Sequence, residues 1–334
     1  MNDQVAQITR KKNTIRIYGA GGTGVAITAA LDQYAGKQAP GFANILTTFI
    51  DTSDSDLPSN IDPAKLYLFP ELDGSGQERA ENHPEYQARI KEILQKHRPS
   101  DLNIIITSAS GGTGSGLAPE LIAELLQKDH NVIVVAVGDA ATRKFARNSR
   151  ATLKSFMGNV AVTKHSLAVF YAENSRLVSE AKINEKIEQL VTVLSILYSG
   201  ENRRMDSKDL YKWLRPTTVD GAPMLTALSI VEGSTDYPTN IGQVVSLATL
   251  TNDRENAAYP EMVDIQFTGF PDNIDREVSE WPIHFVLSDG VIAPAIDRLT
   301  KTIDELEENR QARLAPAKIL DSSDVVGSSG IVFD

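Results

Sequence analysis

Cysteine is missing altogether from the 334 residues, so the chain can form no disulfide and no thiolate-ligated metal site. Histidine is nearly as scarce. The five residues His83, His97, His130, His165 and His284 are scattered without ligand spacing, and each reads as a surface or packing residue. Long apolar runs are absent too, and the opening residues Met1–Lys12 have no apolar signal core, which predicts neither a membrane span nor a secretory leader. Positive charge is in deficit: 33 Lys and Arg face 44 Asp and Glu, a net charge of −11 that argues against broad nucleic-acid binding. There is no internal repeat and no low-complexity tract. What remains is an ordinary globular composition, 41% hydrophobic and 23% charged, at a length that suits two domains. These features together predict a cytoplasmic protein with no membrane and no direct nucleic-acid contact.

Against these absences stand two glycine-dense loops. Asn103-Ile-Ile-Ile-Thr reads as a buried strand. It runs into Ser-Ala-Ser110-Gly111-Gly112-Thr113-Gly114-Ser115-Gly116, and Leu117-Ala-Pro-Glu-Leu-Ile then opens a helix. Glycines let successive backbone N–H groups converge, and a helix N-terminus adds partial positive charge, so the segment suits a di- or triphosphate. It is not a Walker loop, because Leu117 stands where that motif requires lysine. The second loop, Gly19-Ala-Gly21-Gly22-Thr23-Gly24, follows the strand Asn13–Tyr18 and precedes a helix from Val25. Alone it fits the G-x-G-x-x-G pattern of dinucleotide-binding enzymes. Two such loops on parallel strands can hold one polyphosphate from two sides. A nicotinamide-dependent oxidoreductase, with Asp51 on the adenosine ribose, accounts only for the first, and no convincing His or Tyr–Lys arrangement accompanies it.

The chain organises as α/β. Strands are predicted at Asn13–Tyr18, Ile45–Ile50, Lys65–Phe69, Asn103–Thr107, Asn131–Val137 and Leu167–Tyr171, with helices including Ala80–Lys96 and Leu117–Lys128. Runs of Ile and Val without polar alternation predict a mainly parallel, Rossmann-like sheet buried on both faces. Residues 1–178 form this nucleotide-binding unit. Residues 179–200 read as one long central helix, with Ile183, Ile187, Leu190, Val191, Leu194 and Leu197 at helical spacing. Residues 201–295 suggest a smaller α/β domain with strands at Met224–Glu232, Asp264–Phe270 and Ile283–Leu287 and a helix near Ile241–Leu250. A charged helix at 296–314 follows, then a tail, 315–334, that is acidic and apolar from Ile319 to Asp334 and suits a docking peptide.

Ser110-Gly-Gly-Thr-Gly-Ser-Gly116 resembles the phosphate loop of the tubulin/FtsZ superfamily, matching six of seven positions, and Gly19–Gly24 resembles that family's first nucleotide loop. The resemblance covers nearly the whole chain in order of elements, and implies a filament-forming GTPase with GTP or GDP as ligand and Mg2+ on its phosphates. It places Asp51 and Thr52 on the second loop, and Gly74, Ser75 and Gly76 on a third that senses the γ-phosphate. It also puts Asn174 and Asn184 on the guanine edge. Glu180 stands where the family often stacks an aromatic residue, so stacking must come from elsewhere. The family's catalytic Asn-x-Asp-x-x-Asp is read here as Arg204-Met-Asp206-Ser-Lys-Asp209, with arginine in place of asparagine. Without the resemblance, Asp206 and Asp209 read as a helix-capping pair.

The resemblance further implies that this loop completes the site of the next subunit in a head-to-tail homopolymer. The short acidic-apolar tail is most similar to that of phage tubulins of the PhuZ type, where it docks on the neighbouring subunit. Plasmid-segregation tubulins, the alternative within the family, typically have a longer, basic tail, and FtsZ-type chains a long linker for which there is no room. The phage-type resemblance implies a spindle that positions phage DNA in the host bacterial cytoplasm.

Overall fold

The computed structural model describes residues 11–55, 57–175, 178–233, 242–252, 263–272 and 280–314, together with two short strands at 325–326 and 332–333. Strand and helix alternate through the first half: β1 (Thr14–Ala20), α1 (Gly21–Leu31), β2 (Asn44–Asp51), β3 (Leu66–Leu68), α2 (His83–Lys96), β4 (Leu102–Ser108), α3 (Thr113–Gln127), β5 (Val132–Asp139), α4 (Arg143–Thr163) and β6 (Leu167–Asn174). These six strands lie in the order β3-β2-β1-β4-β5-β6, and every adjacent pair is parallel. The order reverses at β1 and β4, the place where such sheets leave a crevice at their carboxyl ends.

Consecutive apolar residues on these strands serve opposite faces of the sheet. Ile15, Ile17, Ile104, Ile106, Ile133 and Val135 enter one core, covered by α1 and by α5 (Glu180–Leu197). Tyr18, Ala20, Ile105, Val132, Val134 and Ala136 enter the other, covered by α2, α3 and α4 and by α7 (Ile292–Leu314). That double burial explains the unbroken Ile and Val runs. Ser179 starts α5 by accepting a hydrogen bond from the Lys182 N–H.

After α5 come β7 (Asn202–Arg203), α6 (Ser207–Trp213), β8 (Leu225–Glu232), β9 (Gln243–Leu250), β10 (Gln266–Pro271) and β11 (Ile283–Asp289). Their strands do not form a detached sheet. β8 pairs in parallel with β6, from Leu167 opposite Leu225 to Val169 opposite Ala227, which extends the sheet to 11 strands ending β6-β8-β11-β9-β10-β7. The helix expected near Ile241–Leu250 is instead the strand β9. It lies between β11, antiparallel, and β10, parallel, and two backbone ladders outweigh an apolar spacing that also fits a helix. Trp213 is fully buried, its Nε1–H donating to the Phe285 carbonyl at 3.1 Å, and so anchors α6 to β11. α7 starts at Ile292 rather than near Ile296. Most of the acidic-apolar tail lies outside the described residues; within it β12 (Val325–Val326) pairs antiparallel with β13 (Val332–Phe333).

Candidate nucleotide site and the opposite pole

The carboxyl ends of β1, β2 and β4 open into a cavity of about 690 Å³. Its lining includes Gly21, Gly22, Thr23, Asp51, Thr52, Gly74, Ser75, Ser110, Gly111, Gly112, Thr113, Gly114 and Asn174. Both glycine loops therefore face one space. α1 and α3 begin on this lining, and neither has a side-chain cap or an acidic residue in its first turn. A helix start leaves its first N–H groups without intrahelical partners and carries partial positive charge, so two uncapped starts aimed at one cavity suit a polyphosphate. The helix that follows the Ser110–Gly116 loop starts at Thr113, earlier than the expected Leu117.

Three loops are tied together here by hydroxyls. Thr52 Oγ1 and Thr113 Oγ1 lie 2.8 Å apart, and Thr113 Oγ1 donates to Ser75 Oγ at 3.3 Å. The Gly74 N–H donates to the Thr52 carbonyl at 3.1 Å. Gly21 has φ +72, a left-handed conformation that a β-carbon disfavours, and a β-carbon there would stand 2.6 Å from the Gly114 nitrogen. Gly76, Ser115, Gly116 and Asn184 are not on the lining. Gly76 offers its carbonyl to Lys144 Nζ at 3.0 Å, and Ser115 turns its hydroxyl back onto the Gly111 and Gly112 carbonyls at 2.5 and 3.1 Å. Gly116 packs under the Arg79 carbonyl and Tyr86. Asn184 is half-buried on α5, one turn beyond Glu180, which does line the cavity.

The side of the cavity away from the glycine loops is formed by Val137, Asp139, Phe145, Asn174 and Glu180. Asn174 Oδ1 is buried and has no hydrogen-bond partner. An orphaned amide oxygen in a polar cavity calls for a donor, and the N1–H and amino edge of guanine supplies one. Replacing Asn174 with alanine is expected to lower GTP affinity about tenfold, roughly 1.4 kcal/mol, and to narrow the preference for GTP over ATP. Competition binding of both nucleotides reads this, and an unchanged GTP-to-ATP ratio removes Asn174 from base recognition. Phe145 brings an aromatic surface where Glu180 does not.

Several supporting residues were invisible to motif reading. Asn148 Nδ2 reaches the carbonyls of Gln77, Ser110 and Gly111 at 3.1, 3.0 and 3.3 Å, so one amide on α4 fixes two loops. Asn82 Nδ2 holds the Gly74 carbonyl at 2.8 Å. Arg79 donates to the Ser115 carbonyl and to Ser155 Oγ, each at 3.0 Å, and burial pulls its guanidinium below the usual arginine range. Only Arg79 lies near a recognisable signal, three residues after Gly76.

Asp206 and Asp209 are elsewhere. With Arg204, Lys11, Asn13 and Leu197 they line a second depression, of about 390 Å³. Glu180 at the start of α5 lines the first cavity and Leu197 at its end lines the second. The 18-residue helix spans about 27 Å at 1.5 Å per residue. The two carboxylates form a capping box on α6: Asp206 Oδ1 accepts from the N–H groups of Lys208 and Asp209 at 2.8 and 3.1 Å, and Asp209 Oδ2 accepts from the Asp206 N–H at 3.0 Å. The capping reading of this pair is realised. The acids cannot meet a nucleotide in their own cavity.

Among the described residues no three metal-ligating side chains converge, and no helix is long and apolar enough to cross a membrane. Asp51 and Asp73, on the glycine-loop side, are oxygen donors of the kind Mg2+ accepts, too few to form a cage without phosphate and water.

Residues 14–182 match the Tubulin/FtsZ family, GTPase domain. A phage tubulin-like protein of Pseudomonas phage PhiPA3 is 24% identical over 319 residues, covering 95% of this chain and 98% of the relative. Among solved structures, a protofilament of TubZ from bacteriophage PhiKZ superposes with a TM-score of 0.80 at 24% identity, covering 96% of this chain and 99% of that one. The phage tubulin PhuZ with GDP gives a TM-score of 0.80 at 21% identity over the same shares.

Proposed function

This chain belongs to the Tubulin/FtsZ family through its GTPase domain, and on that footing we propose that it is an assembly-dependent GTPase that polymerises head to tail. GTP binds in the glycine-loop cavity, and hydrolysis starts when the Asp206–Asp209 loop of one subunit closes the cavity of the next. The observation that carries this reading is the placement of the two half-sites at opposite ends of α5. A contact between unlike poles does not close on itself, so it propagates into a filament.

The chemistry follows from the parts. The uncapped starts of α1 and α3 and the Thr52–Thr113–Ser75 hydroxyls position the phosphates. Mg2+ would be held largely by phosphate oxygens and water, with Asp51 or Asp73 as the protein ligand, and would neutralise charge on the β- and γ-phosphates. Asn174 reads the guanine edge, with Asn184 on α5 as the second base contact. A carboxylate of the incoming loop orients and polarises the attacking water.

In the same proposal, residues 1–178 act as the nucleotide unit, 179–200 as the connecting helix, 201–295 as the unit presenting the catalytic pole, 296–314 as the C-terminal helix and 315–334 as a tail that docks on the neighbouring subunit. Similarity to phage tubulin-like proteins over most of the chain supports a phage-encoded spindle that places phage DNA in the host cytoplasm.

The test is phosphate release from GTP as a function of protein concentration, with light scattering on the same samples. A threshold common to both signals is expected. Release strictly proportional to protein, without scattering, would mean that each monomer is a complete enzyme and would overturn the reading.

A further inference from the structure

The lining of the nucleotide cavity contains Asp51, Asp73, Asp139 and Glu180 but no lysine or arginine among the described residues. The phosphate loop also lacks the lysine of a Walker motif. On this described lining a bound triphosphate meets four carboxylates and no cationic side chain, and a single Mg2+ leaves much of the negative charge uncompensated. Phosphoryl transfer makes that deficit matter, because its transition state spreads charge over the γ-phosphoryl oxygens.

The opposite pole holds the complement. Arg204 is exposed and lines the depression that also contains Asp206 and Asp209. Four described carboxylates close to it in the chain or beside its neighbour Arg203 are committed to other partners. Arg203 takes Asp272 at 2.8 Å, Glu201 accepts from the Gly41 N–H at 2.5 Å, and Asp206 and Asp209 cap α6. Among the described residues Arg204 itself has no ion pair and donates no hydrogen bond; its guanidinium lies 5.6 Å over the ring of Phe270. Its backbone has φ +63, a left-handed conformation that a β-carbon makes unfavourable, and such strain is typical of residues held for a task.

From these facts we infer that Arg204 is an arginine finger acting in trans: it enters the nucleotide cavity of the next subunit and donates hydrogen bonds to the γ-phosphoryl oxygens during hydrolysis. The inference rests on the head-to-tail reading above. In the step it serves, a water oxygen bonds to the γ-phosphorus. The bond to the β–γ bridging oxygen breaks and leaves its electron pair on GDP; one water proton stays on the product phosphate and the other leaves through the Asp206 carboxylate. Arg204 makes and breaks no covalent bond. The planar guanidinium can meet two phosphoryl oxygens at once, which an asparagine amide or a lysine ammonium cannot do with charge and geometry together.

The experiment compares wild type with Arg204→Ala and Arg204→Lys. Turnover per pelleted subunit is measured above the assembly threshold, together with retention of GDP and aluminium fluoride in pelleted filaments, a transition-state trap that needs no turnover. The alanine variant is expected to bind GTP as monomer with unchanged affinity, to lose at least a hundredfold in turnover and to lose the trapped complex. Wild-type turnover and trapping in the alanine variant would overturn the finger while leaving assembly-dependent hydrolysis standing. Absence of a concentration threshold in wild type would instead sink the underlying reading. Should the alanine variant fail to pellet, the lysine variant decides: it keeps the charge, so assembly with at least a tenfold loss of turnover and trapping supports the finger, and full turnover rejects it.

Discussion

Replacing Gly112 with valine is expected to abolish GTP binding, with affinity falling at least a hundredfold. Gly112 has φ −87, so the backbone conformation itself tolerates a side chain. The obstacle is space. A β-carbon there would collide with Ser75 Oγ and stand 2.8 Å from Gln77 Cα, the latter a backbone atom that cannot swing aside. The γ-branches of valine would lift the Gly74–Gln77 loop away from the phosphate loop. That breaks the Thr113–Ser75 hydroxyl contact and displaces the Gln77 carbonyl from Asn148. Two of the three loops that shape the receptor would then separate. Gly112→Ala should cost less, about tenfold, because one methyl group demands a smaller loop shift. Calorimetric titration with GTP reads both, and thermal melting without nucleotide shows that each variant folds. Affinity retained in the folded valine variant would mean that the phosphates bind elsewhere.

The physical reason for this expectation changes between sequence and structure, and the change marks what was legible. From sequence, Gly112 belongs to a loop whose backbone must approach phosphate. In the structure its smallness also lets another loop approach from the side, a contact 35 to 37 residues away in the chain that no local pattern encodes. The parallel sheet was readable because its strands are buried on both faces and so lose polar alternation, as at Ile104–Ile106 and Val132–Val137. β9 was not readable: Gln243–Leu250 has an apolar spacing that serves helix and strand alike, and only its two neighbours decide. α4 is equally hard to read from sequence. Its buried face includes Asn148, Ser149 and Thr152, polar residues that blur a helical apolar stripe because they hydrogen-bond inward to the loops and to β5. The residues that support the site are thus the ones that disguise the element carrying it. The two glycine loops were legible by contrast because close backbone approach admits few residue types.

The second large effect concerns Asp206. The capping box gives this carboxylate a structural task, so loss of activity in an alanine variant could follow from a loosened α6. Asparagine separates the two tasks. It caps a helix about as well as aspartate, whereas alanine at such a position costs about 1 kcal/mol. Asp206→Asn should therefore keep α6, with the Lys208 and Asp209 N–H groups still satisfied, and leave the apo melting temperature unchanged. It removes the negative charge that, in the proposed mechanism, orients and polarises the attacking water. Monomer affinity for GTP should stay at the wild-type value, since Asp206 lines the depression at the far end of α5, a helix about 27 Å long, and not the cavity of its own subunit. Turnover should fall at least tenfold, and filaments should persist if, as proposed, hydrolysis follows assembly. Asp206→Ala should show the same loss of turnover with a lower melting temperature added. Phosphate release and pelleting on the same samples separate these outcomes. If Asp206→Asn turns over GTP at the wild-type rate, the carboxylate is a helix cap alone, and the chemistry at this pole falls to Asp209.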